Sequence, residues 1–369
     1  MSKSVFVGNY VDEIVNVILA AAVSGQHAII IGMPGEGKTS VGRAVLRRML
    51  GEDRYFFKRI HPTMETEEIT GMIDPEAAFK NGEYVKNLEN TPYNPKFEAV
   101  MLDEVARGSD PMFDVFLDIL DRQDVDCVFD ANFVISTANF AIEGERTEAL
   151  NDRIGLWIYL PYEAVDPVEF MANYTPNQKP ELLHDLPTWD QIVVARKMKP
   201  GKDARAAVSL LVVSLFEAAM AQGHRVNRRT MTQWADLLYR YSFLLTGDSN
   251  FREVPKRAAG MLRYAWAAFT ENEADEWQAI VNEIVDLVGT AIGEVMQAAQ
   301  GRFVEMSKAN EVERIEMMLP LGSFLTEQME GLQKVGKGNP AVDDACALLK
   351  KWYSLACNGV DITEMVWEG

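Results

Sequence analysis

The residues Gly32-Met33-Pro34-Gly35-Glu36-Gly37-Lys38-Thr39 have the types and the spacing needed to hold a triphosphate. They meet every constrained position of the phosphate-loop pattern G-x-x-x-x-G-K-[ST]. Glycines let the backbone bend sharply and aim consecutive N–H groups at phosphate oxygens, at a helix N-terminus. Lys38 can reach the β- and γ-phosphates, the Thr39 hydroxyl is a candidate magnesium ligand, and Ser40 completes the candidate set. A second stretch, Ala99-Val100-Met101-Leu102-Asp103-Glu104, is an apolar run ending in two carboxylates. Asp103 is placed to hold magnesium beside Thr39, and Glu104 to polarise the attacking water as general base. Many strands end in acidic turns, so Asp-Glu alone is weak; downstream of a phosphate loop it reads as the other half of a hydrolytic site. Phe133 to Ala138 forms another apolar run, ending at Asn139. A polar residue there is commonly a turn former, but strand C-termini of a parallel sheet face the ligand crevice, where Asn139 can orient water near the γ-phosphate.

These residues need elements to position them. His27 to Ile31 is a short continuous apolar run and reads as a buried strand. After the loop, Val41, Ala44, Val45, Arg48 and Met49 recur at helical spacing. That context argues against a glycine-rich turn that binds nothing. Upstream, Val11, Ile14, Val15, Ile18, Leu19 and Ala22 share one helical face, which Ser24-Gly25 ends. The preceding Val7-Gly8-Asn9-Tyr10 is either a plain turn or a segment lying against the nucleotide base. Tyr55 to Ile60 and Leu156 to Pro161 read as further strands, and Phe113, Phe116, Leu117 and Leu120 as a helix face. Residues 62–96 are polar and rich in turn formers, and Asn81-Gly82 between Phe79 and Tyr84-Val85 predicts a hairpin. The pattern predicts an α/β fold: a parallel sheet flanked by helices, then helical regions.

Composition narrows the partners. The chain has 369 residues, 48% of them hydrophobic, a net charge of −19 and a pI near 4.7. Such a field repels nucleic acid and anionic membranes, so neither is expected as the main partner. Cys127, Cys346 and Cys357 are few and lack metal-type spacing, which suits a reducing, cytoplasmic location. Asp12 and Glu13 interrupt the N-terminal apolar residues, so no signal peptide is expected, and no run reads as long enough to span a bilayer.

Farther on, Glu148-Ala149-Leu150-Asn151-Asp152-Arg153 precedes the last strand. Phosphate loop, Asp-Glu strand, strand ending in Asn and this segment, in that order, resemble an AAA+ ATPase of the MoxR family, most closely its RavA-like members. The resemblance covers roughly residues 5 to 270 and implies ATP and Mg2+ as ligands. It implies a ring, in this family's pattern a hexamer, with nucleotide at subunit boundaries. Arg153 is then an arginine finger acting on the neighbour's site, or else an ordinary Asp152–Arg153 surface pair. Asn139 matches the sensor 1 position. Val226-Asn227-Arg228-Arg229, with Trp234, Leu237, Leu238 and Thr246-Gly247, resembles the lid segment carrying sensor 2. Arg228 is the assigned sensor and Arg229 its rival, because Val226-Asn227 departs from the family pattern. Arg107 is either an intersubunit residue or a surface charge. Residues 64–96 resemble the helix-2 insertion of the family.

The implied layout is an ATPase core over 1–165, a proline-containing connector over 166–203, a helical lid over 204–270 and a helical C-terminal region over 271–369. The last hundred residues hold 18 acidic and 7 basic side chains. Trp277–Ala299, Val304–Met318 and Val342–Ala356 read as helices with a break near Gly301; a further helix is expected around Glu253 to Phe269. The acidic balance is a solvated face or a docking surface. The resemblance implies a chaperone-like ATPase that remodels or assembles a partner complex, often beside a protein with a von Willebrand factor A domain. The alternatives are an ATP-dependent oligomeric scaffold or switch with little turnover and, against the charge, a nucleic-acid translocase.

Overall fold

A computed structural model describes residues 9–35, 37–81, 84–121, 132–139, 149–150, 153–160, 182, 184–267, 271–336 and 340–362. Glu36, Gly82, Cys127, Glu148, Asn151 and Asp152 lie outside the described residues, as does the first part of the expected connector, residues 166–181. The chain divides into two compact units, residues 1–197 with 261–277, and residues 198–260 with 278–369.

The first unit is built on five parallel strands: β1 (His27–Gly32), β2 (Tyr55–Arg59), β3 (Ala99–Asp103), β4 (Phe133–Ala138) and β5 (Ile154–Leu160). Their order across the sheet is β2-β3-β4-β1-β5. β1, β3 and β4 are buried at every position, which explains their unbroken apolar runs: a sheet covered on both faces has no polar side to alternate with. The period of two still sorts the side chains. Ile29, Ile31, Val100, Leu102 and Val134 pack with Met112, Phe113, Phe116, Ile119 and Leu120. The latter residues belong to the helix Asp110–Asp121, α5 below. On the other face lie α1 (Asn9–Ser24) and α2 (Lys38–Leu50). There a Cβ on Gly42 would stand 2.8 Å from Met101 Cε, so a larger residue would have to displace the end of that flexible side chain.

The insertion between β2 and β3 departs from expectation. Glu67–Thr70 is a short helix, α3, and Pro75–Asn81 is α4, where a hairpin turn was expected. Ile73 and Lys86 make a single antiparallel bridge, with Asp74 N–H donating to Val85 O at 2.7 Å and Asn87 N–H to Met72 O at 2.8 Å. The two arms do pair, but α4 lies between them: Pro75 sits at a helix start, where its missing N–H is harmless. The segment 261–277 is tied to α1 by Arg263 Nη2, which donates to Glu13 Oε2 at 2.9 Å, and Trp277 donates its indole N–H to Leu262 O at 2.9 Å. The helix α6 (Trp189–Arg196) is opened by a capping box of Thr188 and Gln191.

The second unit is helical: α7 (Lys202–Ala221), α8 (Arg228–Thr246), α9 (Lys256–Ala259), α10 (Glu271–Lys308, which begins in the first unit), α11 (Glu311–Gly336) and α12 (Pro340–Cys357). Leu210, Phe303, Met306, Leu349 and Trp352 form its core. Two expectations fail here. α10 runs through Gly301 without a break, because one glycine costs a helix only about 1 kcal/mol and its neighbours Ala299 and Phe303 are buried. The expected helix from Glu253 to Phe269 is instead α9 followed by a 3-10 turn, Gly260–Tyr264. Pro255 is the residue before α9 and Gly260 follows it, which bounds that helix on both sides. α7 also corrects the view that no apolar run reaches membrane-spanning length, since its length and composition suffice. Its Val208, Leu211, Leu215 and Ala219 are buried within the protein, as in a core helix.

Candidate active site

β1 ends at Gly32, and the chain reverses through Gly35 and Gly37, at φ 97° and 73°, before α2 begins at Lys38. Only glycine takes that left-handed backbone cheaply, which accounts for two of the motif's glycines. Gly37 stands directly before α2, so the first N–H groups of that helix face the loop's concavity. Lys38 is 5% exposed, and its Nζ donates to Gly32 O at 2.8 Å and Met33 O at 2.7 Å. The ammonium is thereby held inside the loop it serves. The Tyr10 ring lies alongside: a Cβ on Gly37 would meet it at 3.5 Å.

The two halves of the motif pair meet at one carboxylate. Thr39 Oγ1 donates to Asp103 Oδ1 at 2.5 Å and Thr137 Oγ1 donates to the same oxygen at 2.6 Å. Arg59 Nε donates to Oδ2 at 2.8 Å. Burial pushes the Asp103 carboxyl up, but the hydrogen bonds from Thr137, Thr39 and Arg59 outweigh it and hold the group below its usual range. In turn the hydrogen bond and charge of Asp103 raise Arg59. A hydroxyl and an ionised carboxylate in contact are hard oxygen donors, and they fit Mg2+, which takes one or two protein ligands and completes its shell with water and phosphate. Among the described residues no cluster of three His, Cys, Asp or Glu side chains suits a different metal.

Glu104 follows at φ 59°, ψ 40°, the left-handed region, where among the described residues no other non-glycine stands. A side chain there costs roughly 1 kcal/mol or more, and the cost is met locally. Its N–H donates to Thr137 Oγ1 at 3.1 Å, Arg107 N–H donates to its carbonyl at 2.9 Å, and Arg107 Nη1 pairs with Oε2 at 2.8 Å. Asn139 follows directly on β4, between β3 and β1, and is half-buried.

Arg153 is elsewhere. It precedes β5, whose first residue pairs with His27 at the start of β1. It therefore sits at the opposite end of the sheet from the phosphate loop of its own chain. The two are separated by about five residues of strand, roughly 17 Å. Its Nε donates to Asp121 Oδ2 at 2.7 Å and its Nη1 to Ala149 O at 2.8 Å. The expected alternative partner, Asp152, lies outside the described residues. Arg228 is the first residue of α8, after the capping Asn227, and both Arg228 and Arg229 are exposed in the second unit.

Sequence reasoning passed over Arg59 and Thr137. Both have a signal in hindsight: each lies at the C-terminal end of a strand neighbouring or paired with β3, and Thr137 is a hydroxyl in an otherwise apolar run.

Comparison with known proteins fits this geometry. Residues 1–172 match the family model described as "MoxR domain in the MoxR-vWA-beta-propeller ternary systems". Over residues 1–172, a little under half of its length, the chain is thus similar to the MoxR domains of AAA+ ATPases. Its fold is also similar to the crystal structure of a candidate ATPase from Cytophaga hutchinsonii, at 14% identity and a TM-score of 0.50, covering 74% of this chain and 88% of that one. Weaker matches include an MCM homologue from Methanopyrus kandleri (11% identity, TM-score 0.41, 76% and 55% covered). NtrX from Brucella abortus in complex with ATP also matches (15% identity, TM-score 0.27, 95% and 69% covered). No curated protein matches the chain. The α/β core and the MoxR-type domain thus stand together.

Proposed function

We propose that the chain is an ATP-hydrolysing MoxR machine that works as a ring, in the family's pattern a hexamer, and remodels or assembles a partner protein complex in the cytoplasm. One observation carries this reading. Thr39 and Thr137 converge on Asp103 at one end of the sheet, while Arg153 lies at the other end, away from the phosphate loop of its own chain, which supports a role for it on a second protomer's nucleotide.

In this mechanism the loop N–H groups from Gly35 to Ser40 and the Lys38 ammonium bind the phosphates, and Tyr10 borders the loop on the base side. Thr39 and Asp103 would hold Mg2+, which would supply positive charge beside the bound phosphates. Glu104 accepts a proton from the attacking water, and Asn139 orients that water. Arg153 from the adjacent protomer stabilises charge on the γ-phosphoryl group in the transition state. Arg228, or Arg229 beside it, contacts the γ-phosphate as sensor 2 from the lid formed by residues 204–270, with 166–203 as connector and 271–369 as a helical client- or adaptor-facing region. The family model's description names von Willebrand A and β-propeller components. Proteins of those two kinds are the proposed partners, and nucleic acid is disfavoured by the charge of −19.

Affinity capture on a Glu104→Gln variant, which should retain ATP and its assembly, tests client binding. Recovery of a von Willebrand A protein with ATP and not with ADP supports the reading. An ATP-dependent scaffold would keep full cellular function with Glu104→Gln, whereas the machine loses it.

A further inference from the structure

Asp103 presents two oxygens, and they are held in different ways. Oδ1 accepts from two hydroxyls that are fixed in place. Thr137 belongs to buried β4 and also accepts the Glu104 N–H, while Thr39 is in the first turn of α2. Oδ2 is held by Arg59, whose side chain is 61% exposed whereas that of Asp103 is 2% exposed. The backbone beneath Arg59 is locked. It pairs with Asp103 in the β2–β3 register, and Ile60 N–H donates to Asp103 O at 2.8 Å. Of the three donors on this carboxylate, the long arginine is thus the one that can leave without disturbing a strand or a helix.

We propose that Arg59 is the resident cation of the magnesium site: it neutralises Asp103 at Oδ2 and must give up that oxygen when Mg2+ and nucleotide bind, so that it sets the metal requirement for binding. The proposal rests on the reading of Asp103 as the magnesium-side carboxylate. A dication beside Thr39 and Asp103 and a guanidinium on the same carboxylate repel one another, and the exposed partner is the one that moves. The arrangement also explains why a buried carboxylate is tolerated at the end of β3: it is never without a countercharge. Arg59 touches the metal ligand and is in this sense a positioning residue, outside the hydrolytic chemistry itself.

The test is the Mg2+ concentration at half-saturation for binding of a fluorescent ADP to the full chain, so no turnover is involved. Arg59→Gln should lower it by about tenfold, the size of one charge-assisted hydrogen bond, and Arg59→Lys should stay near the wild type because it keeps the charge. Asp103→Asn should raise it. If Asp103→Asn leaves it unchanged, the reading of Asp103 fails and the proposal falls with it. If Asp103→Asn raises it but Arg59→Gln leaves it unchanged or raises it too, Arg59 is not a competitor and the proposal alone is overturned. A second measurement reads the wild type directly and needs only the conservative Arg59→Lys variant for its assignment. The Arg59 Nε–H resonance, assigned by its loss in Arg59→Lys, should shift when Mg2+ is added to the ADP-bound protein. A resonance that stays in place contradicts the proposal.

Discussion

The two ends of the central sheet differ in kind. At the C-terminal ends of β1, β3 and β4 the polar groups converge on a shared point: Thr39, Thr137 and Arg59 all donate to Asp103, and Glu104 hangs from Thr137. At the N-terminal ends the polar groups brace the scaffold. His27 accepts from Val134 N–H at Nδ1 and so carries its proton on Nε2, which faces Leu120 O at 2.9 Å. Arg153 grips Asp121, the next residue along α5. The first end has the hydroxyl, carboxylate and strained backbone of a reaction centre. The second has a satisfied histidine and an arginine in an ion pair, away from the phosphate loop of its own chain. A cation so placed is what the proposed action on a neighbouring chain's site requires.

Replacing Arg153 by Ala breaks the second end and should have the largest effect on turnover, a loss on the order of 10³–10⁵, with nucleotide affinity within about threefold of the wild type. Steady-state hydrolysis and equilibrium binding of the same preparation check it. At the first end, Glu104→Gln should lower turnover by roughly 10²–10⁴ while nucleotide still binds. The single-turnover rate separates this from a binding defect. Thr137→Val removes the hydroxyl shared by Asp103 and Glu104, taking one of three donors from the carboxylate and the acceptor from the Glu104 N–H; denaturant unfolding should show a loss of about 1–3 kcal/mol. The smallest effect concerns acid. Asp103 titrates lower in the folded state than its ordinary value, so its stabilisation is complete above the usual aspartate range and is lost as pH falls through the lower folded-state value. Asp103→Asn should therefore flatten the acid limb of the stability curve, and a limb as steep as the wild type's would contradict the hydrogen-bond network described.

What could be read from the sequence follows the strength of local signals. The buried strands are apolar throughout, and the loop, Asp103, Glu104 and Asn139 sit at strand termini where pattern and chemistry coincide. The insertion was misread because Asn81-Gly82 is a local turn signal, while Pro75 starts a helix between arms that pair only at Ile73 and Lys86. Gly301 was misread as a break because helix propensity is weak against buried neighbours such as Phe303. The pairings of Arg59 and Asp121 are hidden for another reason: their partners, Asp103 and Arg153, are distant in sequence and meet only through the parallel register and the packing of α5 on the sheet.

The central claim is that a neighbouring protomer completes each site. Mixing purified Glu104→Gln protein, whose Arg153 is intact, with Arg153→Ala protein, whose Glu104 is intact, tests it most directly. The account predicts that the mixture hydrolyses ATP well above the sum of the two alone, because some sites then combine Glu104 from one chain with Arg153 from the next. A mixture that gives only the sum, from chains shown to co-assemble, would contradict it.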